Sequence, residues 1–283
     1  MEKLLGIFLL CMLIAAGCED TNLRMATQAG MDAIKAITLS KEEVEKLAQK
    51  TAAKMDQKHR VAHGENKYAQ RLKRLTSKHK TAGKHRFEYK VYISDKVNAF
   101  ALGDGTIRIY SGLMEMMNDD ELRFVLGHEM GHVVEKHIKK KMEIALASSA
   151  VRKGLASQQN IIGDLARSTL GSFMQTFLNA QFSQEEEKAA DDYGLQFMQK
   201  HDYNPKMAVS SLEKFGTLGK DHSFLSSHPA PEQRAERLQE KLRSPEKASE
   251  KGLIDRVLSL LHSGYTWIKN LWDKMMSIFQ QPT

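Results

Sequence analysis

Hydrophobic and polar positions alternate in one short part of this chain and follow helical spacing in most of the rest. Residues 87–95 alternate as a half-buried strand does, and residues 97–102 and 107–110 are two further strand candidates joined by a Gly-Asp-Gly-Thr turn. Helical spacing recurs in the segments 40–58, 68–79, 161–181, 185–201, 206–216 and 231–243. The pattern therefore predicts an α+β fold that is mainly helical and carries a small antiparallel sheet.

A further helix is predicted directly after the sheet, around the sequence VLGHEMGHVV at residues 125–134. Asn118 and Glu121 have the spacing of a capping box, and lysines near its other end suit a helix that reaches about Met142. At about 100° per residue, one stripe of this helix should face the core. That stripe contains Leu122, Val125, Leu126, Glu129 and Val133. A carboxylate among apolar side chains is costly unless something pairs with it, so Glu129 is a candidate functional residue.

The first residues resemble an export signal more than a folded element. The apolar run from Leu4 to Ile14 is too short to span a bilayer, and small residues then precede Cys18. This predicts a signal peptide at 1–17 and a lipid on Cys18, which would make the mature protein a membrane-anchored lipoprotein facing the periplasm, with the outer membrane as its expected site. Ordinary signal cleavage nearby, with an incidental cysteine, is the alternative.

Composition predicts five parts in chain order. The signal peptide is followed by a lipid-anchored tether at 18–39, a main folded domain at 40–242, a linker at 243–252 and an amphipathic helical tail at 253–283. The apolar stripe of the tail suits a membrane surface, and it equally suits packing on the domain or on another subunit.

Charge and cysteine content narrow the functional classes. The net charge is +7, but the basic residues between Lys54 and Lys90 are not interleaved with aromatic side chains that stack on bases. We therefore interpret the positive charge as a solvated face and expect no nucleic-acid partner. Both cysteines, Cys11 and Cys18, lie in the signal region, so the exported domain would contain no disulfide and must be held by its core.

Two histidines on the central helix have metal-binding spacing. His128 and His132 are four residues apart and can reach one ion, whereas Glu129 is offset enough to reach a water on that ion instead. Two histidines satisfied by hydrogen bonds are the alternative. His137 is excluded as a third ligand because, nine residues after His128, it should point to the opposite side of a continuous helix.

The acidic segment at 185–192 offers the missing ligand. Glu187 would complete a site of two histidines and one carboxylate, which leaves a position open for water. Asp191 lies four residues later on the same helical face and can accept a hydrogen bond from the outer ring nitrogen of a ligand histidine. A solvated acidic helix N-terminus is the alternative interpretation.

These segments together resemble a known enzyme family. The sequence HEMGH, the run from Glu187 to Asp191, the segment HPAPEQR at 228–234 and the strand VNAFAL resemble the M48 family of gluzincin zinc endopeptidases, over about residues 25–240. The resemblance implies a zincin-like catalytic domain with one Zn²⁺ held by His128, His132 and Glu187 and with Glu129 as general base. It also implies that His228 stabilises the oxyanion with support from Arg234.

The same resemblance implies a substrate and a way of binding it. Asn98, Ala99, Phe100 and Ala101 would form an edge strand that binds an extended peptide through its main chain. We therefore expect a zinc endopeptidase that cleaves unfolded or misfolded envelope polypeptides. Other envelope proteases are candidate partners, and membrane contact would come from the lipid anchor and the tail. A lipid-anchored peptide-binding or assembly factor with little turnover is the alternative, although such a clamp has no use for Glu129.

Overall fold

The computed structural model describes residues 39–152, 170–219 and 222–243, and this part of the chain is mainly helical. The predicted signal peptide, Cys18, the tether up to residue 38, and the linker and tail from residue 244 onward lie outside the described residues. No helix within the described ranges is both long and apolar enough to cross a membrane. The elements are α1 (Lys41–Lys58), α2 (Lys67–Thr76), β1 (Thr81–Ala82), β2 (His85–Arg86), β3 (Glu88–Tyr92), β4 (Ala99–Ala101), β5 (Thr106–Tyr110), α3 (Ser111–Met116), α4 (Asp119–Val134), α5 (His137–Arg152), α6 (Leu170–Asn179), α7 (Gln184–Lys200), α8 (Lys206–Gly216), α9 (Ser223–Ser227) and α10 (Pro231–Arg243).

Capping boxes fix the starts of the helices that carry the predicted site. At the start of α4, the Asn118 side chain accepts from the backbone N–H of Glu121 at 2.9 Å, and Glu121 accepts from the backbone N–H of Asn118 at 2.7 Å. Ser183 and Glu186 make the same reciprocal pair at the start of α7. Each box satisfies backbone donors that have no partner inside the helix, so the sequence sets the position of both helix starts.

The three-stranded sheet confirms the predicted fold class, with one difference in pairing. Strand order is β3-β5-β4, and β4 pairs antiparallel with β5 in the register Ala99↔Ile109. β3, however, pairs parallel with β5, with Glu88 opposite Thr106, so the sheet is mixed rather than purely antiparallel. The alternation of side chains predicts where strands lie but not which strands pair. In the structure, residues 93–98 connect β3 to β4, and β5 lies between these two strands. As a result β4 lies at the edge of the sheet.

Helix α4 lies in the centre of the molecule and is buried on nearly every side. The predicted stripe is buried, but so are Phe124 and Met130 outside it. The glycine face of α4 packs against α7: a Cβ on Gly131 would lie 3.0 Å from Tyr193 Cβ and 3.1 Å from Ala190 Cα. Such close contact brings the two helices that carry the predicted ligands together.

The prediction that this helix continues to about Met142 is wrong. α4 ends at Val134, and Lys136 adopts a left-handed conformation with φ of 63° before α5 begins at His137. The Lys136 N–H donates to the Val133 carbonyl at 3.1 Å, which closes the last turn. Helices commonly end on a left-handed residue, but that residue is usually glycine. A lysine at this position gives no sequence signal of the break.

Candidate active site and metal centre

Three predicted ligands from two helices meet in the interior. His128 and His132 extend from α4, with their Nε2 atoms 3.0 Å apart. Glu187 extends from the first turn of α7, with Oε1 3.3 Å from His132 Nε2 and Oε2 3.7 Å from His128 Nε2. All three residues are at most 2% exposed. The structure therefore places the sequence-predicted ligand set around one point.

His228, at the end of α9, lies in the same group. Its Nδ1 is 3.0 Å from Glu187 Oε1 and 3.3 Å from His128 Nε2. We call His128, His132, Glu187 and His228 the ligand cluster, since one potential ligand atom from each lies within 4.8 Å of all the others. The family resemblance implies that His228 stabilises the oxyanion, whereas its position also allows it to be a fourth ligand. Three imidazoles and a carboxylate are a typical donor set for Zn²⁺.

Glu129 lies beside the ligand cluster and has unused hydrogen-bonding capacity. It is 1% exposed, and its Oε1 has no hydrogen-bond partner in the described part of the chain. The nearest ring nitrogen, His228 Nε2, is 3.6 Å away. A buried carboxylate oxygen without a partner is costly in a folded protein unless a bound group satisfies it. The unpaired oxygen and the closely spaced ligand atoms both fit a site that holds a metal ion and its water.

The protonation states of the ligand cluster suit a metal. Burial holds the pKa of His132 well below its usual value, and burial also lowers the pKa of His228. Both rings are therefore neutral, as metal ligation requires. Burial raises the pKa of the Glu187 carboxyl, but opposing effects, of which the positive charge of Arg234 is the largest, hold the pKa well below the usual value. Glu187 is consequently an anion, as a ligand should be.

The outer nitrogen of His128 is held by a buried ion pair. Asp191 Oδ1 lies 3.0 Å from His128 Nδ1, at the position that the sequence predicts. Arg234 from α10 donates to both carboxylate oxygens of Asp191, at 2.7 and 2.9 Å, and contacts Glu187 as well. This bidentate pair fixes the carboxylate that orients the histidine. Arg234 thus connects both acidic residues of α7 to α10.

The sequence-based reasoning missed two further residues at the site. His137 is predicted to point away, yet its Nδ1 lies 3.1 Å from Nδ1 of His132. Lys141 on α5 is 6% exposed, with its ammonium 4.1 Å from the ring centroid of Phe182. Burial lowers the pKa of the Lys141 ammonium to about 8, against the opposing attraction of Glu129. Both residues follow the unpredicted helix break, so a continuous helix places them wrongly.

A small cavity lies between the catalytic residues and the sheet edge. It has a volume of about 10 Å³, which is room for roughly one water molecule. Glu129, His228 and Lys141 line it on one side, and the predicted substrate strand at 98–101 lines it on the other. Leu178 and Phe182 cover it, and the Phe182 ring stacks on His132 at 3.8 Å. In this conformation the cavity is too small for a peptide.

Comparison with known proteins identifies the family. A model of peptidase family M48 matches residues 62–242. The chain belongs to this family. It is 37% identical to the Metalloprotease LoiP of Escherichia coli over 235 residues. This aligned region covers 81% of this chain and 92% of that protein. It is also 34% identical over 240 residues to the Metalloprotease YcaL of the same organism, covering 82% of this chain and 93% of that protein.

A more distant relative matches a smaller part of this chain. The Beta-barrel assembly-enhancing protease of Escherichia coli is 29% identical over 182 residues, which cover 57% of this chain and 35% of that protein. These matches show that the M48 protein is a metalloprotease with a zincin-like domain, and its family membership implies a bound metal. The resemblance that the sequence motifs indicate is thereby confirmed.

Proposed function

We propose that this M48 protein is a zinc-dependent endopeptidase that hydrolyses peptide bonds in unfolded or misfolded polypeptides of the cell envelope. The observation that carries the proposal is the unpaired Oε1 of Glu129 next to the ligand cluster. A general base needs a free lone pair within reach of the reacting water, and this oxygen has one. A structural metal site uses a buried carboxylate as a ligand or as the hydrogen-bond partner of a ligand, as Asp191 is used here, whereas Glu129 Oε1 makes no such hydrogen bond among the described residues.

Each residue of the site has a separate role in the proposed reaction. His128, His132 and Glu187 would hold one Zn²⁺, which supplies a water of lowered pKa and polarises the scissile carbonyl. Glu129 takes a proton from the attacking water and passes it to the leaving nitrogen. His228 lies between Glu129 and the ligands, where its ring can stabilise the developing negative charge on the substrate.

The edge strand supports binding of an extended peptide. One side of β4 pairs with β5, and its residues also line the cavity that contains Glu129. Main-chain hydrogen bonds to such an edge select for unfolded chain more than for a particular sequence. Leu178 and Phe182 must move first, because the cavity holds no more than about one water. The expected envelope location, the lipid on Cys18 and the membrane contact of the tail are part of this proposal.

Cleavage of casein by the purified protein, alongside the Glu129→Gln variant, tests the proposal. We expect one zinc per chain in both proteins and a loss of activity of about 100- to 10,000-fold in the variant, because the general base is gone. Glu240→Gln, on the exposed surface of α10, is the matched control and should cleave normally. Zinc binding without cleavage by the wild type would favour the alternative of a peptide-binding or assembly factor. Absence of zinc from the wild type would contradict the proposal.

The role of His228 can be separated in the same assay. If His228 stabilises the oxyanion, His228→Ala should retain zinc and lose about 100- to 1,000-fold in activity. If it is an obligatory ligand, the variant should lose the metal as well. Zinc counted by atomic absorption therefore decides between the two positions that the geometry allows.

A further inference from the structure

The two histidines of the HEMGH motif differ in what holds their outer nitrogens. His128 Nδ1 meets the carboxylate of Asp191, which is itself clamped by Arg234. His132 Nδ1 instead meets the imidazole of His137, at 3.1 Å between the two Nδ1 atoms. His132 is fully buried, so water does not offer its outer nitrogen an alternative partner. An unpaired ring N–H at this depth would be costly.

The proton positions follow from the chemistry of the two rings. His132 Nε2 faces the ligand cluster, 3.0 Å from His128 Nε2 and 3.3 Å from Glu187 Oε1, so it must present a lone pair to a metal. A neutral imidazole carries one proton, which then resides on His132 Nδ1. That N–H donates to Nδ1 of His137, which must carry its own proton on Nε2. The pair therefore has one consistent arrangement of protons.

The helix break is what makes this contact available. On a continuous helix His137 would follow His132 by five residues, or about 140° around the axis, and the two rings would diverge. The left-handed Lys136 interrupts the helix, and His137 begins α5 with its ring 5.2 Å from the His132 ring. The break between α4 and α5 thus positions a side chain as well as ending a helix.

We propose that His137 is a positioning residue that accepts the hydrogen bond of His132 and so fixes the tautomer and ring orientation of this zinc ligand. The proposal rests on the proposed zinc enzyme, and it goes beyond that function by assigning a role to a residue outside the ligand and catalytic set. Partners of this kind typically change metal affinity by about 10- to 100-fold. His137 acts through His132 and does not touch the metal or the substrate.

The zinc dissociation constant of the full chain, measured by competition with a chromophoric chelator, is the test. We expect His137→Ala to bind zinc about 10- to 100-fold more weakly than the wild type. His137→Asn should restore affinity to within about threefold, because its Oδ1 takes the place of the accepting Nδ1. The control is His59→Ala, which removes another half-buried histidine that stacks on Tyr92 and does not belong to the ligand cluster.

The outcomes separate this proposal from the proposed function. Unchanged affinity in a folded His137→Ala variant, or equal weakening by alanine and asparagine, would overturn the positioning role. The absorption spectrum of the Co²⁺-substituted protein is a second readout, and it should change with alanine and return with asparagine. Zinc binding by the wild type without any cleavage would overturn the endopeptidase and leave the role of His137 supported by these affinities. A wild type that binds no zinc would overturn both.

Discussion

Two clusters of polar and charged side chains in this protein differ in how completely their groups are paired. Beneath the sheet, Asp56, Glu88, Lys90, Tyr92 and Arg108 form what we call the Asp56 cluster. Both oxygens of Asp56 are used: Tyr92 donates to Oδ1 at 2.7 Å, Lys90 to Oδ2 at 2.7 Å, and Arg108 to both, at 2.9 and 3.0 Å. Every charge here has a partner that the protein itself provides.

At the ligand cluster, by contrast, the described residues do not provide every polar atom with a hydrogen-bond partner. Its histidine and carboxylate atoms face one another at 3.0–3.7 Å, and the neighbouring Glu129 has an oxygen without a hydrogen-bond partner among the described residues. Natural proteins seldom leave buried polar atoms unpaired unless a bound group or a function uses them. The difference therefore separates a cluster whose charges pair with one another from one whose unpaired oxygen and closely spaced ligand atoms fit a metal and a water.

Removing one carboxylate should mainly lower the stability of the protein in the Asp56 cluster and mainly abolish zinc binding in the ligand cluster. Asp56→Ala leaves the 1% exposed Arg108 without its main partner, and we expect about 3–5 kcal/mol lower free energy of unfolding by urea denaturation. Glu187→Gln should abolish zinc binding and change the metal-free stability by less than about 1 kcal/mol, since Arg234 keeps its bond to Asp191.

Glu88→Ala is the control for the first variant. The Glu88 side chain is 55% exposed, so its loss should cost less than about 1 kcal/mol. Similar losses for Asp56→Ala and Glu88→Ala would show that burial does not distinguish the partners of Arg108.

Zinc should stabilise the protein through the ligand cluster alone. With free zinc at about 1,000 times its dissociation constant, the gain in the free energy of unfolding should be about 4 kcal/mol and should vanish on chelation. Glu187→Gln should show no response to zinc, whereas Glu185→Gln, two residues away and exposed, should respond as the wild type does. A zinc response in Glu187→Gln would mean that the metal binds elsewhere. Melting temperatures with and without a chelator provide the measurement.

The close packing that assembles the ligand cluster can be loosened directly. Gly131→Ala would place a methyl group 3.0 Å from Tyr193 Cβ and 3.1 Å from the backbone of Ala190. We expect a loss of about 1–3 kcal/mol in stability and weaker zinc binding, because α4 and α7 must separate. Gly219→Ala, where no atom lies within 4 Å, should be close to neutral. A stable Gly131→Ala variant with normal zinc affinity would contradict the close fit.

The smallest expected effect is the acid sensitivity of the Asp56 cluster. Burial raises the pKa of Asp56, but hydrogen bonds from Arg108, Lys90 and Tyr92 outweigh it and lower the pKa to about 2. In the unfolded chain the carboxyl titrates near 3.8, so it binds protons there first as the pH falls. Its contribution is complete above about pH 4 and is lost between about pH 4 and 2.

Denaturation curves between pH 2 and 5, with a chelator present, test this sign. The wild type should lose stability on acidification more steeply than Asp56→Asn, which has no carboxyl to protonate at this position. Equal slopes for the two proteins would show that other carboxylates account for the acid response.

Local sequence signals predicted much of the site because its parts lie on strongly marked helices. The capping box at Asn118 gives the start of α4, and four-residue spacing gives the faces of His128 and His132. The side chains of Glu187 and Asp191 lie where one helical face requires. The family resemblance added His228 and Arg234, which spacing alone would have assigned to an ordinary loop and helix.

The sequence by itself determined the local elements and the types of ligand, because capping and periodicity act over only a few residues. Tertiary structure decided the parallel pairing of β3 with β5 and the break at Lys136, since both depend on where distant segments pack. It also decided that His137 reaches His132, that Lys141 is buried, and that the catalytic cavity is closed to a peptide. Those contacts join residues that the path of the whole chain brings together, and no local sequence pattern predicts them.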